Sequence, residues 1–134
     1  MFDWLSHVPA KSLTQHQAEI ERNKSFWERK PLIQEIYRGF YERILARIDQ
    51  SISGHVIELG SGIGNLKKHF PDAICTDIFP NPWLDLVCDA YHLPFRDSTV
   101  SHLILFDVFH HLERPFAFLT ETSRVLNNGG RVIL

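Results

Sequence analysis

Cysteine is scarce in this chain: 134 residues carry two, Cys75 and Cys88. Neither has a CxxC partner or a histidine at zinc spacing, which excludes a disulfide-stapled scaffold and a zinc ribbon. Both sit in apolar, strand-like runs and read as buried, reduced thiols of a cytoplasmic protein. An excess of basic charge is also missing, since 14 Lys and Arg stand against 16 Asp and Glu, for a net charge of −2. Residues 1–50 hold 8 basic and 7 acidic side chains, and residues 51–134 hold 6 and 9. Duplex-binding proteins concentrate basic charge, and Lys67-Lys68 is too short a run for that, so no nucleic-acid partner is expected. No apolar run approaches the ~18 residues of a membrane-spanning helix. The start, Met1-Phe2-Asp3-Trp4, lacks the basic and apolar regions of a secretory signal. Internal repeats and low-complexity tracts are absent. What is present, 44% hydrophobic and 22% charged residues, suits one folded domain with a sizeable core.

The hydrophobic pattern changes character along the chain. Residues 1–12 read as irregular, and residues 13–50 as helices packed on a core. Thr14 followed by Gln17 resembles a capping box, predicting a helix from there towards Lys30. Pro31 suits a first helical turn. Ile33, Ile36, Tyr37, Phe40, Tyr41, Ile44, Leu45 and Ile48 then recur at three- and four-residue spacing as one apolar stripe. Gly39 inside it points to close packing or to a cost of about 1 kcal/mol. From residue 51 onward, short apolar runs alternate with Gly- or Pro-containing loops. Strands are predicted at 55–59, 73–77, 84–88 and 102–106, a helix at 115–126, a turn at Asn127-Asn128-Gly129-Gly130 and a last strand from Arg131. Apolar strands alternating with helices imply an α/β, doubly wound, mostly parallel sheet preceded by the N-terminal helices. Only six residues, including Pro80 and Pro82, separate Asp77 from Leu84. A parallel crossover normally needs about a dozen, so the helix between strands two and three must be missing, leaving strand three short or at an edge.

The sharpest motif is Val56-Ile57-Glu58-Leu59-Gly60-Ser61-Gly62-Ile63-Gly64-Asn65-Leu66, at a junction from buried strand to short helix. Glycines there let the backbone turn tightly and let a ligand approach the peptide groups. A dinucleotide fingerprint is GxGxxG with a pyrophosphate on the helix N-terminus. Here Asn65 stands where its third glycine belongs, and Glu58 precedes the glycines, where a carboxylate would repel a pyrophosphate. The charge favours a cationic or zwitterionic adenosyl ligand, while a purely structural glycine turn stays open. Asp77 closes the second strand, where an acid can accept ribose hydroxyls or simply cap a turn. Asp89-Ala90 and Asp107 close the third and fourth runs, so four acids fall at carboxyl ends of strands, where open parallel sheets bind ligands.

In this order the motifs strongly resemble the class I S-adenosylmethionine-dependent methyltransferases, especially small-molecule and lipid-type enzymes. Glu58 to Gly64 matches the ELGxGxG motif, Asp77 the ribose-binding acid, Asp89-Ala90 the adenine-reading pair and Leu93-Pro94-Phe95 the LPF stretch. Phe106 to Leu112 matches FDVxHHL, and Leu126 to Leu134 matches the LxxGGR lead-in to strand five. The resemblance implies a Rossmann-like sheet with strands in the order 3-2-1-4-5, continuing in the family as 3-2-1-4-5-7-6. It implies S-adenosylmethionine as cofactor, bound through Glu58, Gly60, Ser61, Gly62, Gly64, Asp77, Ile78, Asp89, Ala90 and Asp107. The implied activity is methyl transfer to a small-molecule, sugar or lipid acceptor by in-line displacement. His110 and His111 become candidates for the base that takes an acceptor proton, against a structural role for the segment. No histidine has metal-ligand spacing, so no metal is expected. His102 reads as a satisfied core histidine. Trp83 and Phe79 either cover the adenine or pack under the prolines, and Trp27 and Phe26 either lid the site or pack between helices.

The resemblance covers about residues 54–134 and stops as strand five begins, which predicts a fragment of a larger fold. Val132-Ile133-Leu134 would then be an unprotected edge that invites pairing with a second copy. Two other readings remain: a cofactor-binding module without turnover, and a nicotinamide-dependent oxidoreductase.

Overall fold

A computed structural model describes residues 10–134 of the chain, with side chains described from residue 13 onward. Its elements are α1 (Ala10–Glu28), α2 (Pro31–Leu45), β1 (His55–Leu59), β2 (Ile74–Asp77), β3 (Leu86–Val87), β4 (Val100–Ile104), α3 (Pro115–Val125) and β5 (Leu126–Ile133). Single 3₁₀ turns follow β1, at Asn65–Lys68, and β4, at Phe109–His111. All five strands run parallel in one sheet of order β3-β2-β1-β4-β5, the Rossmann-like order expected.

Strand alternation explains the two layers. Side chains of a strand point to opposite faces in turn. Ile57 and Leu59 of β1 and Leu103 of β4 pack with Phe118 and Val125 of α3. Val56 and Ile104 point the other way and pack with Tyr41 and Ile44 of α2. Both faces are therefore covered, which is why β1 and β4 carry apolar residues on both sides, Val56, Ile57 and Leu59 in one and Val100, Leu103 and Ile104 in the other. One histidine interrupts β4: His102 is fully buried, but its Nε2 accepts the Asp49 backbone N–H at 3.0 Å and its Nδ1 lies 3.0 Å from Ser101 Oγ. It is the satisfied core histidine expected. Cys75 and Cys88 are buried and free.

Several boundaries differ from expectation. The predicted irregular stretch 1–12 lies outside the described residues up to residue 9, and residues 10–12 are already helical. Thr14 and Gln17 thus fall inside α1 and form no capping box at its start. The stripe of α2 ends as helix at Leu45, not near residue 50; Ile48 still packs on the same cluster from the loop. β4 begins two residues earlier than predicted. The predicted turn at Asn127–Gly130 is a bulge within β5: Val100 pairs with Leu126 and His102 with Arg131, so five steps along β5 answer two along β4. Gly129, at φ +77°, supplies the left-handed residue it needs. The connection from β2 to β3 has no helix, and β3 is a two-residue edge strand.

Gly39 is not a packing glycine, because a Cβ there would meet nothing within 4 Å. It costs helix stability without a contact in return. Gly39→Ala is expected to raise the unfolding free energy by about 1 kcal/mol, read as a higher urea midpoint at unchanged slope; a lower midpoint would contradict this placement.

Candidate functional site

The carboxyl ends of β1, β2, β3 and β4 open into a cleft of about 1070 Å³, capped by α1 and α2. Its floor is the glycine loop after β1. Ser61 N–H donates to the Thr76 carbonyl at 2.8 Å, and Ser61 Oγ donates to the Glu58 carbonyl at 3.1 Å while accepting the Thr76 N–H at 3.0 Å. Gly62 N–H donates to Asp77 Oδ2 at 3.1 Å, and Asn81 Nδ2 donates to the Gly62 carbonyl at 3.0 Å. The loop is thus fixed to the tip of β2 on both sides before any ligand arrives.

The glycines have separate reasons. Gly60 (φ +68°) is closed in: a Cβ would lie 2.4 Å from Val108 Cγ2. Gly64 (φ +69°) sits under the Trp83 carbonyl, 2.8 Å from where its Cβ would be, and is not on the cleft wall. Gly62 (φ +52°) faces the cleft, with nothing within 4 Å of a Cβ. That open face is where a ligand can approach the backbone. The short helix expected after the loop is a four-residue 3₁₀ turn, Asn65–Lys68.

The predicted acids converge. Glu58, Asp77, Asp89 and Asp107 all line the cleft, as do Gly60, Ser61, Gly62, Ile78, Ala90 and His111. Asp77 Oδ1 accepts the Ile78 N–H at 2.7 Å and Oδ2 the Gly62 N–H at 3.1 Å, so the carboxylate is oriented by the two loops and keeps a second lone pair on Oδ2 for a further donor. Asp89 accepts the Tyr91 N–H at 2.9 Å and lies 3.2 Å from His92 Nδ1. Asp107 has φ +58°, an uncommon backbone state for a residue other than glycine, at the tip of β4. His110 is half exposed, 3.6 Å from Asp107, and is not among the cleft-lining residues; of the two candidate bases only His111 reaches the wall.

Glu58 is 4% exposed. Burial pushes its carboxyl up to about 7, helped by the Asp77 charge and opposed by Ser61 and by Cys75, whose Sγ donates to Oε2 at 3.7 Å. Across the window from its ordinary 4.5 to about 7, the folded chain holds a proton that the unfolded chain releases. The folded state binds more protons there, so stability without ligand falls as pH rises through the window. Glu58→Gln is expected to flatten that fall, measured by urea unfolding at about pH 5 and about pH 8; an unchanged pH profile would contradict it. A cationic ligand requires the ionised form, so its affinity should rise over the same range with proton release.

Sequence reasoning missed the polar residues of the cap. His16, on the cleft-facing side of α1 with Ile20, Asn23 and Trp27, packs against Phe79 with ring centroids 4.0 Å apart and planes tilted by 31°. Their spacing of four, three and four is a helical face, but its polar members hid it. Asn65 is 7% exposed and on the cleft wall, and its Oδ1 has no hydrogen-bond partner among the described residues. Phe79 and Trp27 line the cleft, whereas Trp83 does not; Trp83 packs over the Gly64 backbone and under Lys24.

A sheet of this order with a glycine loop and acids at successive strand tips defines a Rossmann-like nucleoside-binding domain. A family model described as a methyltransferase domain matches residues 57–134, and the chain belongs to that family. No curated protein matches the sequence. Among solved structures, a SAM-dependent methyltransferase from Thermotoga maritima superposes with TM-score 0.65 at 20% identity, over 84% of this chain and 57% of that one. A candidate S-adenosyl-L-methionine-dependent methyltransferase from Methanococcus maripaludis gives 0.63 at 19%, over 90% and 61%. The candidate methyltransferase bound to the Trm112 activator of Haloferax volcanii gives 0.62 at 24%, over 78% and 54%. These likenesses establish the fold, and the chain spans somewhat more than half the length of each. S-adenosylmethionine is the cofactor that family membership assigns. The cleft fits it: Gly62 leaves open space at the floor, the buried Asn65 Oδ1 lacks a donor, and no Lys or Arg among the described residues lines the wall to repel its positive charges.

Proposed function

We propose that the domain binds S-adenosylmethionine in this cleft and transfers its methyl group to a small-molecule, sugar or lipid acceptor. The observation that carries this reading is the convergence of Glu58, Asp77 and Asp89, from the ends of three adjacent strands, on one cleft beside the open face of Gly62. A pyrophosphate would meet those carboxylates with no basic side chain to offset them, which disfavours the nicotinamide alternative. Glu58 would serve the charged amino-acid end of the cofactor, Asp77 with Ile78 the ribose, and Asp89-Ala90 the adenine, with Gly60, Ser61, Gly62 and Asp107 shaping the floor. When bound, the cofactor supplies a methyl group activated by its sulfonium, so the acceptor forms its bond to carbon as the C–S bond breaks and that electron pair stays on sulfur.

The chain's own contribution is alignment and exclusion of water. Tyr37, Phe106 and the α1–α2 cap would shield the reacting atoms from water, and His111, on the cleft wall, would take a proton from an acceptor hydroxyl or amine. Incubation with methyl-labelled cofactor and a panel of acceptors tests the reading. Label transfer that is lost in Asp77→Ala is expected; cofactor binding without transfer to any acceptor would leave a binding module instead.

Among the described residues no helix is long and apolar enough to cross a membrane. The buried reduced thiols support a cytoplasmic location. Pairing of two copies along the outer edge of β5 is a further part of the reading; a monodisperse monomer in light scattering would contradict it.

A further inference from the structure

We propose that the acceptor is an amine carried on an apolar or aromatic group that enters the cleft as its ammonium ion and gives one N–H proton to His111, so that the freed lone pair takes the methyl group as the C–S bond breaks, an inference that rests on the methyl-transfer reading above. Three observations converge on that chemistry. The first is charge. Five carboxyl side chains line the cleft, and no Lys or Arg among the described residues does. Glu58, Asp77 and Asp89 lie on the sheet side that the cofactor would occupy. Asp107 and Glu113 lie on the segment after β4, beside His111, and nothing in the cofactor reading uses Glu113. A carboxylate or phosphate acceptor would enter a partly desolvated space holding only like charge, which is strongly unfavourable.

The second observation is the aromatic part of the cleft wall. Tyr37 meets Trp27 edge-on at 5.2 Å and Phe106 edge-on at 5.5 Å. With Ile36, which α2 leaves 52% exposed although it belongs to the apolar stripe, these rings make an apolar face on the cleft. Aromatic rings and carboxylates lining one cleft both attract an alkylammonium, and the apolar body of the ligand would cover the side chains that α2 does not bury in the core. The third is hydrogen-bond capacity. Asn65 lines the cleft and is more than nine-tenths buried, and its Oδ1, an acceptor, has no hydrogen-bond partner among the described residues. Charge and the Asn65 acceptor thus both favour ligands that bring N–H donors and positive charge into the cleft.

Three probes of one shape and different charge test this: 2-phenylethylamine, 2-phenylethanol and 3-phenylpropionate, titrated calorimetrically into the chain saturated with S-adenosylhomocysteine. The amine is expected to bind about tenfold or more tighter than the carboxylate, with the alcohol between them. Glu113→Gln and Trp27→Leu are each expected to shrink the ratio of amine to alcohol affinity severalfold, which a loss of fold would not do selectively. Saturation with S-adenosylhomocysteine followed by equal binding of amine and carboxylate, by preference for the carboxylate, or by no binding of any probe overturns the amine proposal alone. Failure of S-adenosylhomocysteine to bind overturns the methyl-transfer reading and this one with it.

Discussion

Asp77→Ala is expected to weaken S-adenosylhomocysteine binding by about 1.5–3 kcal/mol, the scale of hydrogen bonds to a charged group, or roughly tenfold to over a hundredfold. The carboxylate ends β2 and lines the cleft, with its Oδ1 oriented by the Ile78 N–H and its Oδ2 holding the Gly62 N–H. Its removal would therefore act twice, by taking an acceptor from the ligand and by loosening the glycine loop. A double cycle separates the two. If Asp77 accepts ribose hydroxyls, the 2′-deoxy analogue of S-adenosylhomocysteine should bind the wild-type chain more weakly and lose less when Asp77 is removed. Equal losses for both ligands would assign Asp77 to the loop alone. Unchanged calorimetric affinity for S-adenosylhomocysteine itself would remove Asp77 from the site.

Gly60→Ala should produce the largest loss of stability among the loop glycines on the cleft. Its Cβ would stand 2.4 Å from Val108 Cγ2, at a backbone φ of +68°. Overpacking costs roughly 1–3 kcal/mol, and the left-handed conformation adds roughly 1–2 kcal/mol for an L-residue. Unfolding free energy should therefore fall by about 2–5 kcal/mol. Val108→Ala in the same chain should recover the steric part and leave the backbone part. Gly62→Ala has the same backbone strain without the collision, so it should cost less stability while placing a methyl group in the ligand's path. Equal destabilisation by the two substitutions, measured as urea midpoints, would contradict the distinction between a closed-in Gly60 and an open Gly62.

The strands were legible because two-sided burial writes itself as short, mostly apolar runs, and Ile57, Leu59, Leu103 and Ile104 occupy core positions. The acids were legible because each lies at or near the carboxyl end of such a run. Other features depend on tertiary partners that local spacing does not encode. The stripe of α2 reads as core, yet Ile36 and Phe40 remain substantially exposed: apolar periodicity reports a face that wants cover, not what covers it. The start of α1 was displaced because Thr14 and Gln17 have capping chemistry wherever they occur, and the helix simply runs through them. The helix expected after the glycine loop is only one 3₁₀ turn. His16 drew no functional reading because it has no motif, and Asn65 was read only as the residue standing in place of a third glycine; the cleft that both residues line gives their unpartnered atoms meaning. Likewise His110 and His111 are indistinguishable in sequence, and one turn of 3₁₀ helix places only the second on the cleft.

The central claim is that the cleft above the strand tips is an S-adenosyl site and not a dinucleotide site. Titration calorimetry of the unmodified chain with S-adenosylhomocysteine and, separately, with NAD tests it most directly. Saturable binding of S-adenosylhomocysteine at one site per chain, weakened by Asp77→Ala and accompanied by no NAD binding, is the predicted result. Tight NAD binding with no heat from S-adenosylhomocysteine would contradict it.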